Sequence, residues 1–165
     1  MFDVDIKFGD VYVRNIEEKD IGELKEILKD KKFYLNDEEL KEIFLEYYMS
    51  ECEFFTKILK KGKFVGVFRG RIEFKSSNMA WISYFYVDER YSSYKDSQDI
   101  LMNILEYFSE SFGVTDFITG VTNSEKDMIE LWENNDFKTV RINKEFYSDR
   151  GYKEDLVIMK KYSAI

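Results

Sequence analysis

Histidine and proline are absent from the 165 residues, cysteine occurs once and glycine only eight times. Without histidine, a serine–histidine–aspartate triad and any imidazole-bound metal are excluded. Acid–base work falls to Glu, Asp, Tyr, Lys or water. The lone Cys52 leaves no disulfide framework and no thiolate metal cluster. No proline, low-complexity tract or repeat marks a boundary, so a single domain spanning 1–165 is expected. No apolar run approaches the roughly 20 residues of a membrane helix. The start Met-Phe-Asp-Val-Asp lacks a signal peptide's basic lead, and a cytoplasmic, membrane-free protein is expected.

Aromatic residues and acidic charge are what the chain has in quantity. Its 15 Phe and 12 Tyr, within a hydrophobic fraction of 44%, are enough to build a core. The net charge of −8 repels nucleic-acid backbones and anionic lipid, so neither is an expected partner. A field of that sign suits a cationic ligand such as an amine, and also serves solubility.

Periodicity supplies the elements. Val11–Arg14 reads as a strand, and Asp20 opens a helix with Ile21, Leu24, Ile27 and Leu28 on one face. Asn36 begins a second helix with Glu39 as capping-box partner, its stripe being Leu40, Ile43, Phe44 and Tyr47. Runs 53–59, 64–72 and 79–87 alternate as strands joined by the turns Lys60-Lys61-Gly62-Lys63 and Ser76-Ser77-Asn78. A helix carrying Leu101, Ile104, Leu105, Phe108 and Phe112 stops at Gly113. Strand 117–122, a helix with Met128, Leu131 and Trp132, and strands 138–147 and 156–162 complete the chain. A polar turn around Asp149-Arg150-Gly151 joins the last two. The order β-α-α-β-β-β-α-β-α-β-β predicts an α/β (α+β) fold with a mixed, mostly antiparallel sheet of about six to seven strands and helices on both faces.

Five stretches in this order resemble one family. They are Tyr12-Val-Arg14 with Glu18-Lys-Asp20-Ile, the hairpin Lys61-Gly-Lys-Phe-Val-Gly66, Tyr86-Val87-Asp88 followed by Arg90-Tyr91, Leu131-Trp132-Glu133-Asn134 running into Asp136-Phe137, and Asp155-Leu-Val-Ile-Met159-Lys-Lys161. Together they are similar to the GCN5-related N-acetyltransferases, the GNAT family, over about Val11 to Lys161. The resemblance implies transfer of an acetyl group from acetyl-CoA to a primary amine of a small molecule or peptide. It implies that pantetheine lies where strand 79–87 parts from parallel strand 117–122, with main-chain N–H near Phe85, Tyr86 and Val87 polarising the thioester. Pyrophosphate would sit at the N-terminus of the helix starting near Ser97.

The family's glycine-bearing loop falls here on Ser92-Ser93-Tyr94-Lys95-Asp96-Ser97. Lys95 stands where the first glycine belongs, and only Ser97 matches its expected small residue. Serine hydroxyls and the Lys95 ammonium can substitute as donors, whereas Asp96 and Asp99 stabilise the helix start and repel phosphate. A helix-capping loop and an unusual CoA loop are both open readings. Trp132 stands where many relatives carry a tyrosine, and packing in the core is its simplest role. Asn123 is a candidate for the family's cofactor-side asparagine, with capping of the following helix as its plainer use. Asp136 replaces a helix-ending glycine, which the αL tolerance of Asp permits.

Candidate catalytic groups are Tyr84, which shares a face with Tyr86, Tyr147 as a replacement acid, and Glu73 as a base acting through water. For each, packing or surface solvation is the plainer alternative. Aromatics of the last strands offer a surface for a homodimer. The competing reading is a catalytically degenerate GNAT-fold protein that serves as a ligand-binding or protein-interaction module.

Overall fold

Alternation sets the first strands: Val11 and Val13 are buried while Tyr12 and Arg14 stay half-exposed. The computed structural model describes residues 1–29, 36–149 and 152–163, with the side chains of 147–149 and 152 excepted. The turn expected around Asp149-Arg150-Gly151 thus falls at Arg150 and Gly151, outside the described residues.

Among the described residues, eight strands and four helices follow one another. The strands are β1 (Asp5–Phe8), β2 (Val11–Asn15), β3 (Glu53–Lys60), β4 (Lys63–Phe74), β5 (Asn78–Val87), β6 (Asp116–Thr122), β7 (Lys138–Asp149) and β8 (Tyr152–Tyr162). The helices are α1 (Ile21–Leu28), α2 (Asp37–Met49), α3 (Tyr94–Phe112) and α4 (Lys126–Glu133), with a short 3-10 turn at Glu18–Asp20. The sheet runs β1-β2-β3-β4-β5-β6-β8-β7. Pairing is antiparallel from β1 to β4 and through β6, β8 and β7, whereas β5 and β6 are parallel. The mixed, mostly antiparallel α/β class is as expected, with eight strands rather than six or seven. The addition is β1, whose four residues pair with β2. It is too short to stand out by alternation alone.

The chain divides into two compact units, Met1–Arg71 with Tyr84–Ser97, and Ile72–Ser83 with Gln98–Ile165. In the first unit, Leu24, Ile27 and Leu28 of α1 and Leu40 and Tyr47 of α2 bury against Phe55, Phe64 and Val67. Each large apolar side chain so buried stabilises by about 1.5–3 kcal/mol before entropy is counted. The neighbouring residues Phe54, Phe68 and Phe85 point the other way and form their own stack, with centroids 5.0 and 6.2 Å apart along the row. Asn36 caps α2 as expected: its Oδ1 accepts from the Glu39 N–H, and Glu39 accepts from the Asn36 N–H.

In the second unit α3 ends where Gly113 turns to φ 65°, its N–H donating to the Ser109 carbonyl. Asp136 takes φ 68° after α4, and the Phe137 N–H reaches back to the Trp132 carbonyl. Trp132 is buried edge-on to Phe137, with centroids 4.8 Å apart, which is the core role expected of it. Among the described residues no helix is long and apolar enough to cross a membrane.

Candidate active site

The parallel ladder joins Met79–Ile82 to Asp116–Thr119 and its last pair is Ile82↔Thr119. There the Thr119 hydroxyl donates to the Ile82 carbonyl at 3.1 Å. β5 itself runs on to Val87. Its continuation, Tyr84–Val87, belongs to the first unit together with the loop and the opening turn of α3.

Side chains alternate along this stretch. Phe85 and Val87 are buried, while Tyr84 and Tyr86 are half-buried on the face covered by the α1 and α2 core, their rings 6.4 Å apart. Gly66 of β4 explains how closely the neighbouring strand approaches. A Cβ on it would lie 2.3 Å from the Tyr86 carbonyl oxygen and 3.1 Å from Val87 Cα, so no side chain fits. The Asp88 N–H then donates to the Val65 carbonyl at 2.7 Å and holds the strand end against β4.

The loop that follows is pinned by its own charges. Asp88, only 1% exposed, accepts from the Arg90 backbone N–H and grips the Arg90 guanidinium at 2.6 Å. The hydrogen bond and the carboxylate's charge push the guanidinium further up from its ordinary range.

α3 begins at Tyr94, three residues before the expected Ser97, and a capping box is the reason. Ser93 Oγ accepts from the Asp96 N–H at 3.1 Å, and an Asp96 carboxylate oxygen accepts from the Ser93 N–H. The Ser97 N–H already bonds to the Ser93 carbonyl. Lys60 adds an ion pair to Asp96 at 2.9 Å. Its hydrogen bond, with those from Ser93, holds the Asp96 carboxyl below the ordinary carboxylate range. The hydroxyl of Ser92 is buried and has no hydrogen-bond partner among the described residues. Tyr94 and Lys95 are exposed.

Of the other expected residues, Asn123 does not cap α4. Its Oδ1 accepts from the Asp155 N–H at 3.2 Å and its N–H donates to the Asp155 carbonyl, so it extends the β6–β8 pairing instead. The cap position of α4 is Glu125, which makes no capping bond. Glu73, in the second unit, is half-buried with Lys75 at 3.7 Å. The Tyr147 backbone pairs with Glu154, and its side chain lies outside the described residues. The structure thus brings Tyr84, Phe85, Tyr86, Val87 and residues 92–97 together in one unit.

Sequence reasoning missed Lys60 as a partner of this loop. The signal available was a turn with three lysines, Lys60, Lys61 and Lys63, in a chain of net charge −8. At that turn Lys61 and Gly62 both take positive φ, 51° and 78°, the geometry of a tight two-residue hairpin, and Lys60 comes to lie opposite Lys63.

For the acetyl-CoA that the resemblance implies, the first unit offers main chain and lysines. The β5 end offers backbone groups past the last β5–β6 pair, and the orphaned Ser92 hydroxyl is a spare donor. Lys95 places a Cβ where the glycine pattern has none, and the Ser93–Asp96 box already uses one helix-start N–H. Phosphates would therefore be held through ammonium groups more than through a bare backbone cradle.

Solved structures resemble the chain over nearly its whole length. An acetyltransferase from Salmonella typhimurium, described as modifying the N-terminal serine of ribosomal protein L7/L12, superposes with TM-score 0.82 at 14% identity, covering 95% of this chain and 97% of the other. A spermidine N-acetyltransferase chimera from Vibrio cholerae and hSSAT gives TM-score 0.81 at 14% identity, covering 93% and 96%. The ribosomal L7/L12 alpha-N-protein acetyltransferase RimL in complex with coenzyme A gives 0.81 at 13%, covering 96% and 98%. No curated protein matches the sequence significantly. The model of the acetyltransferase (GNAT) domain matches residues 13–158, and on that match, within this fold, the chain belongs to the GNAT acetyltransferase family.

Proposed function

We propose that the chain is an acetyl-CoA-dependent N-acetyltransferase acting on a primary amine of a small molecule or peptide. The observation that carries this reading is the ladder's end at Ile82↔Thr119 while β5 continues to Val87, in a chain of the GNAT family. Neighbours named for acetylating a protein N-terminus and spermidine support an amine acceptor, and the net charge of −8 suits a cationic one.

Bound acetyl-CoA would supply the activated acetyl thioester. Main-chain N–H in the Phe85–Val87 stretch would stabilise charge on the carbonyl oxygen. The amine must lose a proton to attack, and Glu73 through water or Tyr84 is the base assigned. A proton must reach the departing sulfur, and Tyr147 is the acid assigned. Ser92, Ser93, Tyr94, Lys95, Asp96 and Ser97 would flank the coenzyme. The reading carries a cytoplasmic location, a homodimer through the last strands, and no nucleic acid or membrane partner.

The second reading, a degenerate GNAT-fold binding module, is favoured by one observation: Ser93 and Asp96 close the α3 start on themselves. Calorimetric titration with acetyl-CoA separates the two. Micromolar binding followed by acetylation of a polyamine or peptide panel is the expected result. No heat and no thermal shift at millimolar ligand overturns the transferase reading.

A further inference from the structure

We infer that the β3–β4 hairpin forms a phosphate site that takes the nucleotide end of the acyl donor in place of a glycine loop. This deepens the acetyl-CoA reading and rests on it for the identity of the occupant. Lys60, Lys61, Lys63, Val65 and Tyr91 line a hollow of about 290 Å³ within the first unit. That volume lies at the small end of the ~300–1,000 Å³ typical of ligand sites, enough for a phosphate-bearing end and too little for a whole coenzyme.

The charge around the hollow is unbalanced. Ammonium groups opposite each other across a hairpin repel, so Lys60 facing Lys63 is unfavourable unless something negative lies between or beside them. Asp96 neutralises Lys60 alone, at 2.9 Å. Lys63 is held over the Tyr91 ring, 3.6 Å from its centroid, which fixes its direction without cancelling its charge. Among the described residues neither Lys61 nor Lys63 has a carboxylate partner.

Position and rigidity point the same way. The Lys61 N–H donates to the Asp10 carbonyl, which anchors the turn to the β1–β2 connection. Val65, in the lining, accepts from the Asp88 N–H, so the hollow adjoins the end of β5 where the donor is proposed to lie. The capping box keeps Asp96 at the start of α3, so cation side chains must do what bare amides do elsewhere. A compact, multiply charged anion answers the two unpaired ammonium groups of Lys61 and Lys63 better than a single carboxylate does.

The test uses a double variant, Lys61→Asn with Lys63→Gln, where Asn tolerates the positive φ at 61. Unchanged thermal melting verifies that it folds. Acetyl-CoA and inorganic pyrophosphate are titrated into both proteins at two salt concentrations. Loss of two charge-assisted contacts should weaken acetyl-CoA and pyrophosphate each by about tenfold or more, and flatten the salt dependence. Equal affinities in variant and wild type overturn the site. A wild type that takes pyrophosphate through these lysines but ignores acetyl-CoA supports the phosphate site, and overturns both the coenzyme as its occupant and the transferase reading. Acetyl-CoA binding that the double variant retains in full overturns this inference and leaves the transferase reading standing.

Discussion

The Lys57 ammonium lies 2.6 Å from Asp20 Oδ1, and the two side chains are only 7% and 4% exposed. Asp20 uses its other oxygen to accept from the Glu17 N–H at 2.8 Å. The pair ties the entrance of α1 to the middle of β3, beneath the Phe64 ring that stands 5.4 Å from the ammonium. Its energetics are asymmetric, because desolvation offsets the attraction while both partners remain, and nothing offsets it once one is gone.

Lys57→Met is therefore expected to destabilise by roughly 3–5 kcal/mol, since it leaves a buried carboxylate unpaired. Asp20→Asn with Lys57→Met should recover much of that loss. Urea denaturation of the three proteins checks the order, and an additive double variant contradicts the pairing.

The same carboxyl gives a pH dependence. Burial pushes its pKa up, but the Lys57 and Glu17 hydrogen bonds outweigh burial and hold it below the ordinary 3.8. A depressed folded value means the contribution is fully present above the unfolded pKa and lost as pH falls through the folded one. Stability should thus decline below about pH 4, and the decline should be shallower in the Asp20→Asn, Lys57→Met protein. Thermal melting between pH 2 and 6 reads the difference.

Gly66→Ala tests the close approach of β4 to β5. A methyl group cannot sit 2.3 Å from the Tyr86 carbonyl, so backbone must move. A loss of about 1–3 kcal/mol in denaturant unfolding is expected. Weaker acetyl-CoA binding should accompany it, because the displaced stretch is the proposed donor edge.

Ser93→Ala removes the α3 cap acceptor and should cost about 1 kcal/mol in thermal unfolding. Asp96→Asn acts differently. It releases Lys60 from its carboxylate, so pyrophosphate and acetyl-CoA should bind several-fold more tightly. Tighter binding in Asp96→Asn is measured by calorimetry, and weaker binding would place the phosphate away from Lys60.

Much of the fold was legible because local rules and tertiary packing agree. The Asn36–Glu39 box, the Gly113 stop and the αL residue Asp136 each satisfy backbone groups within a few residues, and each can be read from residue type. β1 was not legible, since four residues give too little alternation to count. The α3 start lies earlier than the phosphate pattern predicts, because Ser93 and Asp96 satisfy each other's backbone N–H groups. Lys60–Asp96 spans 36 positions, and Asn123 meets Asp155 across 32. No spacing rule reaches that far, and only the strand pairing brings such residues together.

The Thr119 hydroxyl on the Ile82 carbonyl has a consequence for how a long, flexible guest would be received. A strand pair that finishes on a side-chain clasp has its parting point settled when the chain folds. An incoming amide-bearing arm would then have nothing to unzip, and its affinity would not be taxed by prising β5 from β6.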